Sequence, residues 1–305
     1  MNSAGCSAMA SRYLTPHFDI HGGGMDLIFP HHENEIAQSE AAWGSPFARH
    51  WVHSGFVNVD AEKMSKSLGN FVTIAQILER NDGEALRYFL LGAHYRGPID
   101  FDLEKRGDRV VFPGVDEAER RVEYLYATRE ALVAAAAGAS PAAGGDSAQA
   151  KVVRGAQERV LTALDGDLNT SVSLSVLAEL AHAGNEIALQ VGKAAKAAAK
   201  TGDTKSADAA RSLAAAAVDA IVACCAPLGL MQAPAADFFA RTRARRLKLR
   251  GLDPAWIEAK VTERTAARAA KDFARADALR AELTAAGVEV NDVPATGAST
   301  WRVIL

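Results

Sequence analysis

The sequence predicts an α/β segment followed by a mostly α-helical remainder that ends in a small mixed α/β unit. Three observations carry this. Short apolar runs broken by glycine turns fill residues 1–70, and apolar residues at three- and four-residue spacing dominate from about 71 onward. After two further helices, a short alternating polar–apolar run returns near the end of the chain.

Phe18-Asp-Ile-His and Trp51-Val-His-Ser-Gly-Phe-Val-Asn-Val read as strands, being rich in aromatic and β-branched residues. Between them Pro30 suits the first position of a helix over about 31–43, where its missing N–H has no partner to lose. Strand, helix, strand and a glycine-punctuated loop is the rhythm of an α/β sheet with ligand loops at its strand ends. Ile74, Ile77 and Leu78, then Leu86, Phe89 and Leu90, predict two helices, with Asp82 as N-cap of the second. A helix over 114–135 places Val122, Leu125 and Tyr126 on one face. Residues 138–147, rich in Ala, Gly, Ser and Pro, predict a flexible connection.

Helices follow over about 150–164, 171–190 and 206–226, and the Ala/Lys tract 193–200 reads as a solvated helix end or loop. Six arginines or lysines fall within 241–250, ahead of Gly251 and Pro254, and predict a linker over 234–253. The last piece reads as helices over 256–271 and 273–286, a strand at Val288-Glu-Val-Asn and another at Thr300-Trp-Arg-Val-Ile. The domains expected are 1–70, 71–110, 111–235 and 255–305, and no solenoid repeat is present.

Composition sets outer limits. With 305 residues, 49% hydrophobic and 23% charged, the chain has ordinary globular content for two or three domains. A net charge of −3 confines any nucleic-acid surface to a local patch. No stretch reaches the roughly 18–20 apolar residues of a membrane span, and the start, Met-Asn-Ser-Ala-Gly-Cys, does not indicate secretion. The three cysteines, sparse and odd in number, suit a reducing, cytoplasmic compartment. Cys224 and Cys225 sit at an apolar helical end and read as buried structural thiols.

Two constellations carry chemistry. Cys6, His31 and Glu35 are soft, borderline and hard donors that zinc accepts together, with a position left for an outside ligand. His31 and Glu35 stand four apart and project from one helix face. Spacing does not pair Cys6 with that helix, and it does not decide between these residues and the adjacent His32 and Glu33. The alternative is a capped helix and a small buried thiol. In the second constellation, Gly22-Gly23-Gly24 allows a planar or charged ligand to approach the backbone, although a tight turn needs glycine equally. Asp26 is placed to accept from ribose hydroxyls, and His21 is either a core histidine or a polar contact to a nucleotide. Lys63-Met-Ser-Lys-Ser carries ammonium groups, Lys63 and Lys66, suited to charge growing on a departing pyrophosphate.

Together with His17-Phe-Asp-Ile-His-Gly-Gly-Gly-Met-Asp-Leu-Ile-Phe-Pro-His-His-Glu-Asn-Glu and Glu62-Lys-Met-Ser-Lys-Ser-Leu-Gly-Asn, these residues resemble class I aminoacyl-tRNA synthetases, and within them the cysteinyl-tRNA synthetase family. The likeness continues through 82–95, Asp165-Gly-Asp-Leu-Asn-Thr, and Arg268-Ala-Ala-Lys-Asp-Phe-Ala-Arg-Ala-Asp. It implies the later part of a Rossmann-like catalytic domain with its signature loop over 1–70, a stem-contact helical connector, a helical bundle and a small anticodon-binding domain. It implies zinc on Cys6, His31 and Glu35, ATP with Mg2+ at Lys66, and anticodon reading by Arg268, Asp277 and Asp292. Phe273 and Trp301 are stacking candidates on physical grounds alone. The reaction implied is ATP-dependent activation of cysteine and its transfer to tRNA(Cys), by a family that is usually monomeric and has no membrane partner.

The likeness has a gap. The family's His-Ile-Gly-His-type motif and its fourth zinc ligand, a cysteine, have no counterpart here, and Asn-Ser-Ala-Gly stands where the family has Trp-His-Ile-Glu. An N-terminally truncated member, inactive alone, is the expectation, with a sheet edge whose exposure predicts poor solubility. The rivals are a mycothiol-pathway ligase joining cysteine to an amino sugar, against which 255–305 argues, and a non-catalytic tRNA- or zinc-binding remnant.

Overall fold

The computed structural model describes residues 3–59, 62–63, 72–106, 109–202, 204–292 and 299–304. Helix α1 (Ser3–Tyr13) precedes strand β1 (Phe18–Gly24). A short turn over Met25–Leu27 and a widened π turn over Ile28–His32 then lead into helix α2 (Glu33–Trp43). Pro30 therefore lies in the turn ahead of α2 and not at its first position, because Phe29 is extended there. Strand β2 (Ala48–Ser54) pairs with β1 in parallel, with His21 opposite Trp51 and Gly23 opposite His53. This is the strand–helix–strand unit that the sequence predicts.

Strand β3 (Val57–Val59) pairs with β4 (Glu62–Lys63) and, in parallel, with β5 (Ile99–Phe101). Between β4 and β5 lie helices α3 (Ile74–Arg80) and α4 (Gly83–Leu91). Thr73 and Gln76 form a reciprocal capping box on α3, and Asp82 caps α4 by accepting from the Glu84 N–H. The predicted connector is thus not purely helical. It includes β5 and the hairpin β6 (Glu104–Arg106) and β7 (Arg109–Val111), and β5 ties it back to β3. At this junction Gly55 has no room for a side chain, since an added Cβ would lie 2.0 Å from the Gly97 carbonyl oxygen.

The bundle comprises α5 (Pro113–Ala136), α6 (Ala148–Asp165), α7 (Thr170–Thr201) and α8 (Lys205–Cys225). Its core holds Val122, Leu125 and Tyr126 of α5, the face the sequence predicts, together with Leu177, Leu180 and Ile187 of α7. The Ala/Lys tract is the solvated end of α7, which closes on Gly202 in the left-handed conformation. By length and composition alone, α8 and the turn after it are able to cross a membrane, contrary to the expectation from the sequence. Leu213, Ile221, Cys224 and Cys225 of α8 are buried in the bundle core. Burial pushes the Cys224 thiol up to about 11 and the Cys225 thiol to about 12, so both behave as packing groups.

The predicted linker over 234–253 is instead helix α9 (Ala235–Arg250). Three of its arginines are not solvated charges but reach acids on other elements. Arg241 pairs with Asp82 at 2.7 Å, and Arg245 meets Asp82 at 3.3 Å and Glu119 at 3.1 Å. Arg246 meets Glu119 at 2.8 Å and Glu123 at 2.6 Å, and donates to the Val303 carbonyl at 3.0 Å. The last unit is α10 (Pro254–Ala269), α11 (Phe273–Ala285) and the antiparallel pair β8 (Val288–Asp292) and β9 (Ser299–Val303). It folds around its own core of Ile257, Leu283, Val288 and Trp301.

Candidate metal centre

Helices α1 and α2 meet through small polar residues. The Ser7 hydroxyl donates to Gln38 Oε1 at 3.1 Å, and the Ser3 hydroxyl meets His31 Nδ1 at 3.0 Å. The seam brings the Cys6 Sγ, a His31 ring nitrogen and a Glu35 carboxylate oxygen within 4.8 Å of one another. Glu35 is 1% exposed, and its Oε1 stands 3.6 Å from His31 Nε2. Its Oε2 is buried without a hydrogen-bond donor among the described residues. His21 Nε2 lies 3.0 Å away but outside hydrogen-bonding geometry. An unsatisfied buried acceptor costs about 1–3 kcal/mol, more if charged, and a cation at this position would remove that cost.

The donor set therefore fits a zinc ion. Thiolate, imidazole and carboxylate suit it together, and the carboxylate already lacks a proton donor. Ser3 engages Nδ1 of His31, which leaves Nε2 free to meet a cation and fixes the ring.

The two competitors left open by spacing part company here. Glu33 is exposed. His32 is 3% exposed, with Nδ1 2.8 Å from His53 Nε2. With His21 and Glu35 it forms a second cluster whose ligand atoms also lie within 4.8 Å, so Glu35 is shared. Burial, reinforced by the facing His21, holds the His32 pKa below the ordinary histidine value and keeps the ring neutral. His21 lies tilted against Trp51 with ring centroids 4.6 Å apart, and edge-on to His32 at 5.0 Å. Ser3 and His53 were not singled out from the sequence as site residues. The strand register that sets Gly23 beside His53 is the signal that would find His53.

Gly22, Gly23 and Gly24 end β1, and Asp26 lies in the turn that follows. A Cβ on Gly23 would stand 2.7 Å from His32 Cε1, and one on Gly24 would stand 2.5 Å from Asp26 Oδ1. Part of the glycine requirement is thus internal packing. Lys63 contributes backbone to β4, while its side chain and Lys66 lie outside the described residues.

In the C-terminal unit Arg264 clasps Asp292 through both guanidinium nitrogens, at 2.7 and 3.0 Å, and Arg268 pairs with the same carboxylate. The Arg264 guanidinium, with Ser299 donating as well, holds the Asp292 carboxyl far below the usual carboxylate range. Asp292 is thus occupied in orienting arginines. Phe273 is 62% exposed and Asp277 is exposed. Trp301 corrects an expectation: it is 9% exposed, its indole N–H donates to Glu258 at 2.7 Å, and the Arg243 guanidinium lies 4.7 Å over its ring. The face that a base would need is already covered.

A family model described as the catalytic domain of class I (C) tRNA synthetases matches residues 4–107, and one described as the cysteinyl-tRNA ligase anticodon-binding domain matches 254–302. The chain is 46% identical over 303 residues to a cysteine–tRNA ligase of Anaeromyxobacter sp. (strain Fw109-5), covering 98% of this chain and 56% of that protein. It is 43% identical over 298 residues to a cysteine–tRNA ligase of Geobacter sulfurreducens, with the same two coverages. The chain thus spans about 56% of the length of these relatives. The fold is similar to that of Mycobacterium tuberculosis methionyl-tRNA synthetase in complex with methionyl-adenylate, at a TM-score of 0.50 and 18% identity, covering 78% of this chain and 45% of that one.

Proposed function

The chain belongs, over residues 4–107 and 254–302, to the cysteinyl-tRNA ligase family of class I tRNA synthetases, and we propose that it provides the cysteine-recognising and tRNA-recognising portions of a cysteine–tRNA ligase. The reaction is attack of the cysteine carboxylate on the α-phosphorus of ATP with loss of pyrophosphate. A hydroxyl of the terminal ribose of tRNA(Cys) then attacks the cysteinyl-adenylate carbonyl, giving the ester and releasing AMP.

The observation that carries the reading is the Cys6, His31 and Glu35 cluster around the buried Glu35 carboxylate. Zinc held there supplies a soft Lewis acid that distinguishes a thiol from the nearly isosteric hydroxyl of serine. A site built to engage one particular group rejects analogues that lack it by roughly 10⁴–10⁵. Cys6 and Glu35 supply charge, and Ser3 fixes the His31 ring through Nδ1. The neutral His32 and the aromatic rings around His21 form the adjoining wall. The glycines at the end of β1 and Asp26 would lie along the nucleoside. Lys63 and Lys66 would neutralise the phosphates, with Mg2+ accompanying ATP. In the C-terminal unit Arg268, oriented by Asp292, with Asp277 and Phe273, would meet the anticodon. Free cysteines suit a cytoplasmic site of action.

The match of 254–302 to an anticodon-binding domain favours tRNA over an amino sugar as the acceptor. Elemental analysis of the purified chain tests the reading: about one zinc per chain is expected, lost in Cys6→Ala and in Glu35→Ala. Absence of zinc from the folded, unaltered chain overturns it. The sequence contains no His-x-Gly-His motif, so cysteine-dependent ATP–pyrophosphate exchange by this polypeptide alone should be absent. Robust exchange would refute that part.

A further inference from the structure

A cleft of about 560 Å³ opens between α5, α9 and β9. Helices α5 and α9 lie outside both segments matched by family models. Four guanidinium groups line it, from Arg120, Arg243, Arg246 and Arg302, against one carboxylate, Glu123. Arg120 and Arg302 pair with Glu117 and Glu289 at 2.7 and 2.5 Å, but both arginines are more than half exposed. Such surface pairs exchange partners at little cost. Arg243 has no carboxylate partner among the described residues and lies over the Trp301 ring.

Arg246 is the buried member. Its side chain is 5% exposed, and its two terminal nitrogens are engaged by Glu119, Glu123 and the Val303 carbonyl. Its Nε–H is buried and has no acceptor among the described residues. Arg246 therefore forms the fixed floor of the cleft, and Arg302 and Arg243, both exposed, are the guanidiniums that a ligand reaches. Glu123, the one carboxylate of the lining, is taken up by Arg246 at 2.6 Å. The wall is aromatic as well: Tyr124 is 45% exposed, and Phe239 stands across from it on α9.

We infer that this cleft takes one nucleotide of an RNA strand, its phosphate held by Arg302 and Arg243, and its base laid on Tyr124. Guanidiniums alone would serve any anion. The exposed aromatic ring beside them favours a phosphate that carries a base, because stacking on tyrosine accepts every base. The inference shares with the ligase reading only the assumption of an RNA partner.

Fluorescence anisotropy with the full 305-residue chain and labelled tRNA(Cys), titrated with salt, tests it. The double variant Arg120→Gln/Arg302→Gln alters only exposed rim side chains. It should lower affinity about tenfold and reduce the magnitude of the log–log salt slope by about 1–2. Tyr124→Ala should weaken binding about tenfold with the slope unchanged. Arg159→Gln, an exposed arginine on α6, should change neither. Unchanged affinity and slope in the folded rim variant overturn the assignment, as does a failure of the unaltered chain to bind RNA. Competition by AMP or inorganic phosphate at micromolar concentration would assign the cleft to a free anion and overturn it too. The two readings fail separately, since zinc content reports on the metal cluster alone and the rim variants on the cleft alone.

Discussion

At Gly23 the absence of one methyl group decides how a histidine packs. A Cβ there would meet His32 Cε1 at 2.7 Å and a Leu27 methyl at 3.0 Å, while His32 is already fixed by its contact with His53. Gly23→Ala should therefore cost about 1–3 kcal/mol of stability, the usual range for overpacking a close-fitted site. Thermal unfolding checks it, and an unchanged midpoint would mean that the ring has room to move. The glycine triplet was visible in the sequence, but what it faces was not. Its neighbours arrive from a parallel strand and a distant turn. The same holds for the metal cluster. His31 and Glu35 were legible as one helix face, whereas the approach of Cys6 depends on how α1 lies against α2 and was supplied by family resemblance. His53 escaped notice as a site residue because nothing local to it signals that it touches His32.

Among the elements, α9 departs furthest from expectation. Its basic run read as a linker because charge was counted without asking where the matching acids lie. Those acids sit on α4 and α5, far away in sequence, and Glu119 is their centre. Fully buried, Glu119 receives Arg245 at 3.1 Å, Arg246 at 2.8 Å and the Asp82 N–H at 2.9 Å. Removing one partner from a buried ionic network leaves the others desolvated and unpaired, at about 3–5 kcal/mol. Glu119→Ala should show a loss of that size in urea denaturation. A loss below 1 kcal/mol, the surface-pair range, would mean that water reaches the arginines. The helices of the bundle, by contrast, were legible almost throughout. Their apolar spacing and caps are local properties, and Asp82 caps α4 where the sequence placed it.

Taken whole, the molecule distributes its apolar burial unevenly. The bundle, the connector and the C-terminal unit each have a core, whereas Phe47 is the only fully buried large apolar side chain of 3–54. Local opening is cheapest where few apolar contacts must be broken. Backbone amides of β1 and β2 should accordingly exchange with deuterium at least roughly a hundredfold faster than those in the middle of α5 and α7. Equal protection would contradict this picture. The order of the segments was readable from the sequence, but their junctions were not, since the β3–β5 pairing and the hold of Arg246 on Val303 join residues with no local signal. The stretch between α5 and α6 has a different use. Ser140 and Pro141 are exposed, and Gly138, Gly144 and Gly145 stand in open space. Exposed loop tips of this kind tolerate inserted domains, so a fluorescent reporter spliced there would ride on the bundle clear of both the metal cluster and the arginine-lined cleft.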